Sequence, residues 1–243
     1  MGDDAVEHSP GGSWIVHHAD DSDGPSDAWQ PGDFHDDLGD ALQRAFAAEP
    51  VVLHAILDDL HHIDVWIVPP NDRRPYQTLV TAGMSDRPMT VPTGYGRAHA
   101  ELTLSLPASW TLTTAAMESE RAYWPVRLLV NLARFPQRYA TFLDETHTVP
   151  NGDLPEPYAM NTRMVCALIG PSPFGGTELG DVHRRDGPLV RFLSVIPIYR
   201  DEMEFKLRHG AAALFERLKR AGINDVLNAK RATVCRRKRF GIL

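Results

Sequence analysis

The segment Tyr76–Met89, YQTLVTAGMSDRPM, constrains the fold more than any other part of this chain. It begins as a strand and stops abruptly. Leu79, Val80 and Thr81 carry side chains that suit a pleated, half-buried surface. Gly83 reaches backbone conformations closed to other residues. Ser85 and Asp86 can bond nearby main chain in a turn, and Pro88 prevents the ladder from continuing. Read physically, the segment is a strand that runs into a polar loop.

The flanking sequence supplies the rest of a sheet. Phe34, Leu38, Ala41, Leu42, Ala45 and Phe46 recur at helical spacing, which predicts an amphipathic helix over 33–48 ended by Pro50. Val51–Leu57 and Leu60–Val68 read as strands, with Asp58-Asp59 as the hairpin turn between them. In the second strand Ile63, Val65 and Ile67 share one face, and His62, Asp64 and Trp66 the other. Tyr76–Ala82 and Ala98–Leu106 complete an antiparallel meander. Pro125 fits the first turn of a helix, in which Val126, Leu129, Leu132 and Ala133 share a face. Pro136 then predicts the start of a second short helix, Gln137–Asp144. His147–Pro157 is rich in turn residues and reads as a surface loop. Arg163–Ile169 and Leu189–Ile198 read as core strands, with a loop at Ser172–Gly187 between them. A helix over Arg200–His209 carries Asp201 and Glu202 where its dipole favours negative charge, and a further helix follows over Ala211–Ala221. This order predicts an α+β fold, a mostly antiparallel central sheet packed by helices.

Charge divides the chain. Residues 1–43 hold eleven Asp and Glu and no Lys or Arg, whereas the whole chain has 25 basic and 32 acidic residues. The remainder therefore carries +4, and the acidity belongs to the N-terminal part. Residues 1–31 are rich in Gly, Ser, Pro and Asp, a composition that cannot bury enough apolar surface to offset the entropy of ordering. They are expected to form a flexible acidic arm, with Trp14, Ile15 and Val16 touching a single domain over 32–243. No run of about eighteen apolar residues or secretory leader is visible, and Cys166 and Cys235 are too few for a disulfide scaffold. A reducing cytoplasm is the expected location.

Motifs for chemistry are thin. His54, His61, His62 and Asp64 lie close together, and His62 and Asp64 point the same way on a strand, but no HExxH or CxxC spacing completes a metal set. Ser85 beside Asp86 has the atoms of a nucleophile, yet the order Gly-Met-Ser-Asp is not a nucleophile elbow. Their expected role is to satisfy backbone donors at the strand end. Glu101, Glu118 and Glu120 are carboxylates that nothing pairs for hydrolysis. Glu101, inside a strand, needs a partner such as an arginine if its face is buried. Neither GxGxxG nor a Walker loop is present. The basic end, Arg231, Arg236, Arg237, Lys238 and Arg239, lacks interleaved aromatics, so nucleic-acid binding is not expected. No catalytic residue, metal or cofactor is assigned.

Four segments in order, YQTLVTAGMSDRPM, AHAELTLSLP (Ala98–Pro107), YWPVRLLVNLARFP (Tyr123–Pro136) and FLSVIPIYRDEMEFKLRHG (Phe192–Gly210), resemble the motifs of the suppressor-of-fused (SUFU) domain family. The resemblance spans roughly Ala48 to Arg231. It implies the fold of that family's N-terminal domain and a non-catalytic role in which another protein is held. Animal members hold a transcription factor inactive and continue into a second domain, so a two-domain clamp is not expected here. Bacterial single-domain members look like immunity proteins that neutralise a partner toxin. The resemblance implies a partner-binding surface around Thr81, Gly83, Met84, Ser85 and Asp86, together with an exposed strand edge. Two alternatives stand beside it: a small-molecule hydrolase with its site between the sheet and the loops His147–Pro157 and Ser172–Gly187, and a nucleic-acid-associated regulator.

Overall fold

A computed structural model of the chain describes residues 6–18, 34–46, 48–55, 62–172, 174, 181–183 and 187–235. The described elements run β1 (Val6–His8), β2 (Trp14–Val16), α1 (Phe34–Phe46), β3 (Val51–Ala55), β4 (Ile63–Val68), β5 (Tyr76–Ala82), β6 (Ala100–Pro107), α2 (Thr114–Met117), α3 (Glu120–Arg138), β7 (Thr148–Pro150), β8 (Met164–Gly170), β9 (Asp181–His183), β10 (Leu189–Tyr199), α4 (Arg200–His209) and α5 (Ala211–Arg220). The main sheet is ordered β3-β4-β5-β6-β10-β8-β7, with β9 on β10. The meander is antiparallel, as its alternation predicts. The join between the meander and the later strands is parallel, Arg191 to Ser194 of β10 lying beside Ala100 to Thr103 of β6. The Asp58-Asp59 turn lies outside the described residues.

Helices cover both faces of this sheet. On one face α3 lays Trp124, Val126, Leu129, Leu132 and Ala133 over Val65, Leu79, Leu102, Leu104 and Ile169. On the other, α1 sets Leu38, Ala41 and Leu42 against Val68, Val80 and Phe192, and α5 sets Leu214 and Leu218 against Cys166, Leu168 and Ile198. The strands between helical layers are buried on both sides, which is why β8 reads as an unbroken apolar run. Among the described residues no helix is long and apolar enough to cross a membrane.

Three expectations change. The Trp124-Pro125 pair does not open a helix, because α3 starts at Glu120 under the Ser119 cap and carries both Pro125 and Pro136 within it. Proline removes the donor to the carbonyl four residues back. Here that carbonyl, Arg121 O, accepts instead from Asn161 Nδ2 at 2.9 Å. No second helix follows Pro136: α3 ends at Arg138, Ala140 turns through a positive φ of 46°, and 141–144 run as coil. The loop His147–Pro157 contains the edge strand β7, paired with β8.

The beginning of the chain also differs from a featureless arm. β1 and β2 form an antiparallel hairpin. It docks by Gly11 N–H donating to Leu207 O at 2.7 Å. A side chain on Gly11 would meet Gly210 N at 2.5 Å, so only glycine permits this approach. His18 then packs edge-on to Phe135, ring centroids 5.5 Å apart.

Trp124 is the largest fully buried side chain, stacked on Tyr158 at 5.4 Å and edge-on to Trp110 at 6.1 Å. Trp124→Ala should cost about 3–5 kcal/mol through the cavity it leaves. Urea unfolding measures this, and near-wild-type stability would contradict the packing.

Candidate functional site

The strand β5 ends where Gly83, at φ 119°, turns the chain into a single 3₁₀ turn over Met84–Asp86. A side chain at Gly83 would lie 2.5 Å from His62 O, so both the backbone angle and the space require glycine. The turn aims its donors at one carboxylate. Glu101 Oε1 accepts from Gly83 N at 3.1 Å, Ser85 N at 2.9 Å and Ser85 Oγ at 2.7 Å. Glu101 Oε2 is bonded at 2.6 Å by the Thr81 hydroxyl, which in turn accepts from Leu102 N at 2.8 Å. Ser85 O is held at 2.8 Å by His99 Nδ1.

Glu101 is fully buried. Burial pushes its carboxyl up from 4.5 to about 7, against the opposing pull of the Thr81 and Ser85 hydrogen bonds. The expected arginine partner is not used: hydroxyls and main-chain amides satisfy the group instead. Near neutrality the acid exists in both forms.

This geometry places the expected partner-binding residues unevenly. Thr81, Met84 and Ser85 are buried, whereas Gly83 and Asp86 are half-exposed. The Ser85 hydroxyl donates to Glu101, so Ser85 bonds a carboxylate rather than a histidine base. At this strand end the main-chain donors Gly83 N and Ser85 N are accepted by Glu101.

Other candidates also resolve into structure. His62 Nε2 and Asp64 Oδ1 meet each other at 2.7 Å, and no group of three or more metal-ligating side chains occurs among the described residues. His61 lies outside them. Glu120 is exposed and pairs with Arg127 at 3.0 Å. Burial pushes the Cys166 thiol up to about 12, far from a reactive thiolate. Arg231 is no part of a solvated basic end. Its guanidinium forks onto buried Glu202, Nη1 to Oε1 and Nη2 to Oε2 both at 2.6 Å. Arg236, Arg237, Lys238 and Arg239 lie outside the described residues.

A cavity of about 1470 Å³ opens between α3, the edge strand β7, α4 and the N-terminal hairpin. One wall is the His147–Asp153 segment expected near a small-molecule site. The other described walls are helices and the hairpin; most of the Ser172–Gly187 loop lies outside the described residues. Lys206, on this cavity, was not singled out by sequence reasoning. A lysine at the centre of an otherwise amphipathic helix carries no local signal of burial.

A family model for suppressor of fused protein (SUFU) matches residues 59–232. No curated protein sequence is significantly similar to the chain. A crystal structure of a SUFU homologue from Neisseria gonorrhoeae superposes with a TM-score of 0.62 at 20% identity, covering 84% of this chain and 98% of that one. The Sufu–Fu complex gives 0.60 at 18% identity, covering 84% and 93%. Drosophila Suppressor of Fused gives 0.57 at 17%, covering 81% of this chain and 50% of that one. These likenesses bear on the fold, which they match.

The Glu101 cluster has a signed pH consequence. A carboxyl whose folded pKa lies above its unfolded value contributes stability that is whole below the unfolded value and is lost as pH rises through the folded one. Relative to wild type, Glu101→Gln should therefore gain about 2 kcal/mol of unfolding free energy between about pH 5.5 and about pH 8.5, given a shift from 4.5 to about 7. Urea titrations at the two pH values measure the difference. An unchanged gap between the two proteins would contradict it.

Proposed function

The chain belongs to the suppressor-of-fused family, and we propose that it is a non-catalytic protein-binding module that holds a partner protein, in the manner of an immunity protein neutralising a toxin. The observation that carries this reading is the family membership itself, joined to the structure of a family member in a protein complex, Sufu with Fu. Features of this chain agree with it. The residues with chemical potential turn inward: Ser85 and Thr81 bond Glu101, Cys166 is buried, and His62 meets Asp64. The surface carries large apolar side chains instead. Met160 is 91% exposed, Leu154 84% and Trp14 69%. Exposed apolar groups of this size suit a surface that another protein covers.

A covering protein acts by shape and charge complementarity, blocking its partner's site without making or breaking bonds. Toxin neutralisation fits that mode, because one tight interface is sufficient. The partner-contacting part of the β5 turn is then the half-exposed rim at Gly83 and Asp86, with Thr81, Met84 and Ser85 setting its shape from within.

The test is affinity capture of the full chain from its native host, with size-exclusion chromatography of what co-elutes. The expected result is a stoichiometric protein partner whose toxicity on expression is relieved by co-expression of this chain. Turnover of an ester, phosphate or nucleoside substrate, abolished by His62→Ala or Ser85→Ala in a folded variant, would overturn the proposal in favour of a hydrolase.

A further inference from the structure

Among the described residues Lys206 is a buried cation without a counter-ion. It is 5% exposed, and the one hydrogen bond it makes among them runs from Nζ to Thr148 Oγ1 at 3.2 Å. Among the described residues no carboxylate meets it. The nearby titratable groups do not compensate. His147 is shifted toward its neutral form, chiefly by burial. The carboxylate near His147, Asp144, is engaged by Arg191 at 2.7 Å. Cys166 holds its proton. Burying an ammonium with unfilled donors is costly, and proteins retain such a group where something supplies the opposite charge.

Lys206 lines the 1470 Å³ cavity, so an outside group can reach it. Among the described lining residues Arg127 (paired with Glu120), Arg134, Arg138 and Lys206 are cationic, and Asp153 alone is acidic. The cavity exceeds the roughly 300–1,000 Å³ of ordinary small-molecule sites, and Leu132, Phe135 and Leu207 give it apolar walls. A free small anion would satisfy Lys206 and leave those walls wet. A protein segment carrying both carboxylates and apolar side chains fills both requirements.

We propose that this cavity seats an acidic segment of the partner protein, with a carboxylate of that segment on Lys206 Nζ. The inference rests on the protein-binding reading above and adds the partner's chemistry to it. Lys206 is the specificity residue: it rejects a neutral segment because its own donors would stay unfilled.

The experiment is fluorescence polarisation of the full chain with a labelled peptide of alternating leucine and glutamate, against the same peptide with glutamine for glutamate. The acidic peptide should bind, and the glutamine peptide should bind about tenfold more weakly or worse. Lys206→Met should weaken the acidic peptide by about the same factor, while Lys206→Arg keeps most of the affinity. Lys206→Met should melt at or above the wild-type temperature, since it removes an unpaired buried charge. Should Lys206→Met fail to fold, the glutamate-to-glutamine comparison on the wild type still decides. Equal binding of the two peptides, or equal binding by wild type and Lys206→Met, would overturn the proposal. Inorganic phosphate displacing the peptide as well as unlabelled peptide does would reassign the cavity to small anions. Binding that appears only after Asp20, Asp21 and Asp23 are changed to Asn would reassign it to the chain's own acidic stretch. A captured partner retained undiminished by Lys206→Met would sink the cavity assignment alone. Absence of any captured partner would sink the protein-binding reading beneath it.

Discussion

The structure turns on a single buried carboxylate that gathers the Thr81 hydroxyl, the Gly83 and Ser85 amides and the Ser85 hydroxyl. Glu101 sits in the centre of the sheet, and among the described residues no cation pairs with it, so its burial is tolerable only if Thr81, Gly83 and Ser85 converge on it. That convergence fixes where β5 stops and gives the following chain its exit direction. The segment that first marks this chain as unusual is thus the outer half of a buried hydrogen-bond cluster, and its inner half lies in the next strand.

Two further buried carboxylates, each paired with an arginine, secure distant parts of the chain. Glu202, at the start of α4, accepts from Tyr199 N and Val234 N and takes the fork of Arg231, pinning the final described segment to the β10–α4 corner. Asp144 accepts from Arg191 of β10, tying the coil after α3 to the sheet. The acids thereby act as internal fasteners. This leaves a sheet-and-helix body in which Thr81, Ser85 and Cys166 are buried.

Much of this was legible in the sequence, because periodicity is local. The alternation in β4 correctly divided Ile63 and Val65 from Trp66, and the apolar spacing of α1 located it to within two residues. What stayed hidden depends on partners far along the chain. Pro125 is tolerated inside α3 because a side chain forty residues away takes the freed carbonyl. The hairpin at 6–18 is held by a glycine contact to α4, which no composition rule for acidic, Gly-rich sequence could anticipate. Within the candidate site the sequence showed where β5 turns, but not that Thr81, Met84 and Ser85 are buried there, since the acceptor lies in β6 and an isolated Glu101 said only that some partner was needed. Lys206 gave no signal because burial of a helix face is decided by what packs over it.

Burial sets Glu101 between its charged and neutral forms near neutrality, with hydroxyl and amide donors around it. Carbon-13 NMR of the glutamate side-chain carboxyls across a pH series reads this directly, with Glu101→Gln identifying the resonance. A midpoint near 7 for Glu101 is predicted. A midpoint in the ordinary glutamate range, about 4.3, would contradict the upward shift that burial imposes on this carboxyl.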